Sequence, residues 1–275
     1  MENQAQLLAR IAAALERLAP GGPAAADWAS HPAYVWDANG PRGVDRIEAP
    51  SLNLLRGIDR QKETVVGNVV RLAGGNAAHD MLLWGARGMG KSALVRAAVA
   101  DAQGTAGNIA LVQVATDAVT SLPRLFTQLG GMDRNFLVFI DDLGFAEGDS
   151  TTPRHLRSWL DGGVEARPGN VRLAVTSNRR AILPRHASEQ DDPVNPRDAV
   201  DDTLALADRF GLSLGFHNAS QDEYLDILRG YAREYDLPLD EAEALEWAKR
   251  RGARSGRIAW HFITELAGRQ GRRLD

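Results

Sequence analysis

A chain of 275 residues with 44% hydrophobic and 25% charged content can bury one sizeable core, which excludes bulk disorder and fits one large domain or a large domain with a smaller one. A formal net charge of -4 gives no global attraction to phosphate backbones or anionic membranes, so any nucleic-acid contact has to be local. Cysteine is absent, which excludes disulfides and thiolate metal sites, and without a signal-like or membrane-spanning apolar run the chain reads as cytoplasmic.

In chain order, Leu7, Leu8, Ile11, Leu15 and Leu18 recur at three- and four-residue spacing and predict a short amphipathic helix, ended by Pro20-Gly21-Gly22-Pro23. Its stripe could pack on its own domain or on a neighbouring subunit. Residues 24–50 mix Pro, Gly, Ala and Trp without a sustained period and read as an extended strap, anchored to the core by Trp28, Tyr34 and Trp36. From residue 81 short apolar runs alternate with helical stretches, the pattern of a parallel sheet covered on both faces. Strands are predicted at Met81 to Trp84, Ile109 to Ala115, Phe136 to Ile140, Val171 to Ser177 and Leu212 to Phe216, with helices near 92–101, 120–129, 153–160 and 199–209.

The expected class is therefore α/β, a doubly wound parallel five-stranded sheet. After residue 217 the strands stop. Ser220-Gln221-Asp222-Glu223 opens a helix as a capping box, and further helices begin near Asp240 and Gly256, a small all-helical lid. The expected division is an N-terminal helix and strap over 1–51, an α/β domain over 52–216 and the lid over 217–275. Residues 181–198 read as a long loop.

Chemistry concentrates in Gly85-Ala86-Arg87-Gly88-Met89-Gly90-Lys91-Ser92, which matches G-x-x-x-x-G-K-[ST] after an apolar strand and before a helix-like stretch that starts Ser92-Ala93. Glycines let the backbone curl so that successive N–H groups and the helix N-terminus face phosphates. Lys91 then neutralises β- and γ-phosphate charge, and the Ser92 hydroxyl is placed to ligate magnesium. A P-loop needs an acidic partner, and Phe136-Leu137-Val138-Phe139-Ile140-Asp141-Asp142 ends an apolar run in a pair of carboxylates. Asp141 is the candidate to hold magnesium, and Asp142 to orient the attacking water.

With both motifs in hand, the chain resembles the AAA+ ATPases, P-loop proteins with an extra strand between the two motif strands. The resemblance implies ATP and Mg2+ as ligands, held by Gly85, Ala86, Arg87, Gly88, Met89, Gly90, Lys91, Ser92 and Ala93. It implies that Asn178, after the strand Val171 to Ser177, is the polar residue called sensor 1, which contacts the γ-phosphate or the catalytic water. Arg209, in Ala207-Asp208-Arg209-Phe210-Gly211, takes the position of an arginine finger offered to a neighbour's site, and with it a homo-oligomer. Arg257, in Ser255-Gly256-Arg257, matches sensor 2. Ile58, within Leu55-Arg56-Gly57-Ile58-Asp59-Arg60-Gln61, matches the stretch that holds adenine.

At closer range GIDRQKETV, LLWGARGMGKS, VTSNRR, LADRFGL, SQDEYLDILRGYA and RSGR together look like a bacterial AAA+ family catalogued only as a domain of unknown function, over residues 52 to about 268. Two departures from the commonest AAA+ pattern stand out. Asp142 replaces the usual glutamate, which shortens the reach of the water-orienting carboxylate and suits slow turnover. Thr116-Asp117-Ala118-Val119-Thr120 lacks the aromatic-apolar-glycine loop with which protein-unfolding relatives grip a polypeptide.

Lys249, Arg250, Arg251, Arg254, Arg257, Arg269, Arg272 and Arg273 make a locally basic C-terminal stretch, either a solvated helix face or a nucleic-acid contact. The six histidines have no ligand spacing. The expected function is Mg-dependent ATP hydrolysis by an oligomeric AAA+ ATPase that remodels an unidentified protein partner, with no membrane partner. The alternative is a nucleotide-gated binding module or loader with little turnover, possible nucleic-acid association included.

Overall fold

In the computed structural model the described residues are 27–144, 167–178 and 209–274, together with Arg10 and Leu160. Apart from Arg10, Leu160 and Arg209, the helices predicted over 7–18, 153–160 and 199–209 lie outside them, as does the loop 181–198.

The apolar runs form strands because residues of this kind bury both faces of a pleated sheet. The strands are β1 (Ala33–Asp37), β2 (Gly40–Val44), β3 (Met81–Gly85), β4 (Ile109–Val114), β5 (Asn135–Ile140), β6 (Val171–Ser177) and β7 (Leu212–Phe216). They make a 7-stranded sheet in the order β2-β1-β4-β5-β6-β3-β7. Every pairing is parallel except β1 with β2. The strand β6 lies between β3, which leads into the P-loop, and β5, which ends at the carboxylates.

The sheet thus has two strands more than the five expected, and both come from the strap. Asp37 pairs with Gly40 across an Ala38-Asn39 turn. Gly40 sits at φ 102, and the Asp37 carboxylate accepts the Asn39 N–H at 2.8 Å. Pro41 and the glycines of β2 disguise it as a loop in sequence, yet proline is tolerated on a sheet edge, which is where β2 lies. Trp28, Tyr34 and Trp36 are buried, as expected of anchors. The Trp28 ring meets Tyr34 at 4.7 Å and Phe136 at 5.9 Å. Arg134 Nη1 fastens the strap further by donating to the carbonyls of Trp28, Ala29 and His31.

Six α-helices are described: α1 (Asp59–Ala73), α2 (Lys91–Thr105), α3 (Leu122–Leu129), α4 (Gln221–Glu234), α5 (Glu241–Arg250) and α6 (Gly256–Arg269). The helix α1 was not foreseen. It buries Val65, Val69, Leu72 and Ala73 on one stripe against α2. Side chains alternate across the sheet, so Met81 and Leu83 join the core under α1 and α2 while Leu82 joins the one built from Trp28, Trp36, Leu122 and Phe126.

The C-terminal helices start where the sequence placed them. Ser220 and Glu223 exchange both capping-box bonds, and Asp240 and Ser255 cap α5 and α6. Leu228, Phe262 and Ile263 are buried where α4 packs on α6. No helix among the described residues is long and apolar enough to cross a membrane.

Candidate active site

A cleft of about 880 Å3 opens where the C-terminal ends of β3, β5 and β6 face α6. Its floor is the turn from β3 into α2. Gly85, Gly88 and Gly90 take φ 116, 75 and 88, backbone states that side chains oppose. At Gly85 a Cβ would come within 2.1 Å of the Phe216 carbonyl oxygen, so the close approach of β7 demands glycine as well. Gly90 is the N-cap of α2, which aims the helix N-terminus into the cleft.

Lys91 is only 7% exposed and folds back over this turn. Its ammonium donates to the carbonyls of Gly85 and Ala86, both at 2.8 Å, and to Asn178 Oδ1 at 3.3 Å. Burial pulls the Lys91 pKa below its ordinary value; Asp142 and Asp141 oppose this, and Arg257 and Arg87 add to it.

The carboxylates stand at the tip of β5. Ser92 Oγ donates to Asp141 Oδ1 at 2.5 Å. Thr176, from β6, donates to the same oxygen at 2.6 Å and accepts the Asp142 N–H at 2.8 Å. Asn178 Nδ2 donates to Asp142 Oδ1, so Asn178 links the lysine to the second carboxylate. Asp142 adopts φ 51, a left-handed state uncommon outside glycine though commoner for Asp and Asn.

Arg257, in the first turn of α6, is exposed along the cleft, and its backbone N–H donates to the Gly88 carbonyl at 3.0 Å. Ile58 is buried just ahead of α1 and also lines the cleft. Gly90 is close beneath it, since a Cβ there would lie 3.5 Å from Ile58 Cδ1. Arg87 and Met89 complete the P-loop edge, with Ala93 behind Ser92.

The structure therefore brings Ile58, Arg87, Gly88, Met89, Gly90, Lys91, Ser92, Ala93, Asp141, Asp142, Asn178 and Arg257 into one cleft, while Gly85 and Ala86 are outside its lining and meet it through their carbonyl bonds to Lys91. Arg209 is half-buried in the turn before β7 and is not among the described residues that line the cleft.

Sequence reasoning missed two features of the site. Thr176 was detectable only as a hydroxyl following the apolar run Leu173-Ala174-Val175 of its strand, and it is 1% exposed. Tyr231, Tyr235 and Trp260 line the wall opposite the P-loop, with Trp260 at 5.3 Å and 5.8 Å from the two tyrosine rings. Their only sequence signal was the i, i+4 spacing of Tyr231 and Tyr235 on one helix face.

The donor set suits a nucleoside triphosphate with magnesium. The glycine turn offers N–H groups, Lys91 a buried ammonium, and Ser92 with Asp141 an adjacent pair of hard oxygens. No cluster of three or more His, Asp or Glu side chains that could hold a metal by itself occurs among the described residues.

A family match spans residues 29–270, under the description Protein of unknown function (DUF815). The chain belongs to this family. No curated protein matches the DUF815 chain. Among solved structures it is similar to the Thermotoga maritima RuvB Holliday junction branch migration motor, at 19% identity and a TM-score of 0.52, covering 81% of this chain and 66% of that one. It is also similar to the Aeropyrum pernix ORC1 protein in complex with DNA, at 16% identity and a TM-score of 0.53, covering 82% of this chain and 66% of that one. The DUF815 chain thus has an AAA+ P-loop fold and spans just under two thirds of either relative.

The basic C-terminal stretch of the DUF815 chain is partly spent on its own acids. Arg269 pairs with Glu243 and Glu265, Arg250 with Glu246, and Arg272 with Asp236. Arg251 lies 3.6 Å over the Trp247 ring.

Proposed function

We propose that this chain binds ATP with magnesium and hydrolyses its γ-phosphate, as an oligomer whose active site is completed by Arg209 of a neighbouring subunit. The observation that carries the reading is the continuous hydrogen-bonded chain from Lys91 through Asn178 to Asp142, beside the Ser92–Asp141 pair, all in one cleft.

Phosphoryl transfer asks the protein mainly for positioning and charge stabilisation. The N–H groups of residues 86–92 cradle the phosphates. Lys91, a buried cation whose hydrogen bonds go to the neutral carbonyls of Gly85 and Ala86 and to Asn178 Oδ1, turns to β- and γ-phosphate oxygens, which set opposite charge beside it. Ser92 and Asp141 hold magnesium, which would neutralise charge on the β- and γ-oxygens when bound. Asp142 and Asn178 orient the attacking water, and Arg257 follows the phosphates from α6. Ile58 and Ile227 receive the base, with Trp260 as a stacking face.

On this reading residues 217–275 act as a lid over an α/β domain of 52–216, and the Arg257–Gly88 contact is where lid and P-loop meet. A loader role on DNA, with turnover incidental, is the second reading. It is favoured by the short Asp142 side chain and by the DNA in the ORC1 structure.

The test is steady-state phosphate release across a range of protein concentrations, with Lys91→Ala, Arg209→Ala and a mixture of the two variants. Activity per subunit that rises with concentration, is lost in each variant and partly returns in the mixture is the expected result. Tight ATP binding with negligible release favours the second reading.

A further inference from the structure

Thr176 is placed as no packing residue needs to be. It lies in the last turn of the pleat of β6, 1% exposed, between residues that are themselves buried. Valine would fill that space equally well, so the hydroxyl has to be explained by what it bonds. Neither of its bonds serves its own strand: both cross to the tip of β5. The backbone N–H of Asp142 can only donate, so Thr176 Oγ1 accepts there at 2.8 Å, and the hydroxyl hydrogen is thereby directed to Asp141 Oδ1 at 2.6 Å. The Thr176 carbonyl accepts a third bond from the same turn, the N–H of Leu143 at 2.8 Å. One residue thus fixes three successive positions of the turn that carries both carboxylates.

That turn needs fixing. Asp142 sits at φ 51, a state that non-glycine residues hold only where the surroundings over-determine it. Released from Thr176, the Asp142 peptide could relax toward an ordinary conformation, and its carboxylate would leave Asn178. Asp141 would meanwhile keep only the Ser92 hydroxyl on Oδ1, the group whose oxygen is needed for magnesium.

Resting on the nucleotide reading above, we propose that Thr176 is a positioning residue that sets the geometry of the magnesium carboxylate Asp141 and the water-orienting carboxylate Asp142 at once. It acts through these two residues, to which its hydroxyl is bonded. Its effect is the coupling of metal binding to water orientation through a single hydroxyl, in the manner of the hydrogen-bonding partners that orient metal ligands elsewhere.

The test compares the full chain with Thr176→Val and Thr176→Ser, by ATP binding with and without magnesium and by phosphate release over a magnesium titration. Thr176→Val is expected to bind magnesium-free ATP within about threefold of the parent while losing most of the affinity that magnesium adds. Its kcat is expected to fall about 10- to 100-fold, and the magnesium needed for half-maximal rate to rise by a similar factor. KM for ATP at saturating magnesium should change little, and Thr176→Ser should recover both the magnesium response and the rate. A parental magnesium response in Thr176→Val, or an equal loss in Thr176→Ser, overturns the proposal. Should Thr176→Val fail to fold, Thr176→Cys, which keeps the size but bonds weakly, takes its place under the same criteria. A parent chain whose ATP binding ignores magnesium overturns the nucleotide reading itself, a result separate from any difference among the variants.

Discussion

The two walls of the cleft are built on different principles. The wall proposed for the phosphates, the phosphate wall, consists of strand ends of a single sheet and one helix N-terminus, and its polar groups are held by mutual hydrogen bonds at Lys91, Ser92, Asp141, Thr176 and Asn178. The opposite wall stands on α4 and α6, is aromatic, and meets the P-loop through the Arg257 N–H and the snug approach of Ser255 to Gly88, where a Cβ would come within 2.9 Å. The lesson is a division of labour: directional bonds on a stiff sheet suit charge that must be placed to a fraction of an ångström, whereas an apolar helical face can shift and still bury a flat ring.

Breaking the core of the helical wall should have the largest effect. Phe262 is fully buried against Trp247, and Phe262→Ala is expected to cost about 3–5 kcal/mol in urea unfolding. A separate early transition would show that the helices unfold apart from the sheet; one shifted transition would show that the walls form a single cooperative unit.

On the phosphate wall, Lys91→Met is expected to lower phosphate release about 10²–10³-fold, the scale for losing one preorganised charge-stabilising donor. Stability without nucleotide should move the other way. Because burial depresses the Lys91 pKa, the unfolded chain binds that proton more tightly than the folded one, so the ammonium opposes folding at neutral pH and less so as pH rises. Lys91→Met should therefore raise Tm, by roughly 2–4 °C for each kcal/mol relieved, and flatten this alkaline gain. A lower Tm would mean that the bonds to Gly85 and Ala86 outweigh the burial.

The smallest effect is expected at Trp260. Losing one stacking face costs about 1–3 kcal/mol per base, so Trp260→Ala should weaken nucleotide binding by about tenfold or somewhat more while kcat at saturation stays near the parental value. A fall in kcat instead would show that the aromatic wall also places the phosphates.

Much of the phosphate wall was legible because its chemistry is local in sequence. Gly85 to Ser92 form one turn, and Asp141 with Asp142 end one apolar run, so spacing alone points to them. Thr176 was not legible, since its role exists only once β6 lies beside β5. The aromatic wall failed for the same reason: Tyr231, Tyr235 and Trp260 come together only when α4 packs on α6. Among the elements, the five parallel strands announced themselves through buried apolar runs. The edge strand β2, with Pro41 and its glycines, carries no such run, and α1 hides its Val65, Val69 and Leu72 stripe beside further valines, Val66 and Val70, and a mid-helix Gly67.

The clasp of Arg134 on Trp28, Ala29 and His31 bears on how fragments of the molecule would behave. A fragment beginning after residue 51 would keep every residue proposed above for nucleotide binding and still be ill-behaved. It would strip β1 from β4, leave the β4 edge with unpaired backbone groups, and uncover Phe136, Ala110 and Val112 where Trp28, Tyr34 and Trp36 had covered them. Such an edge recruits strands from other molecules, so the shortest well-behaved fragment that contains the cleft has to begin ahead of Trp28.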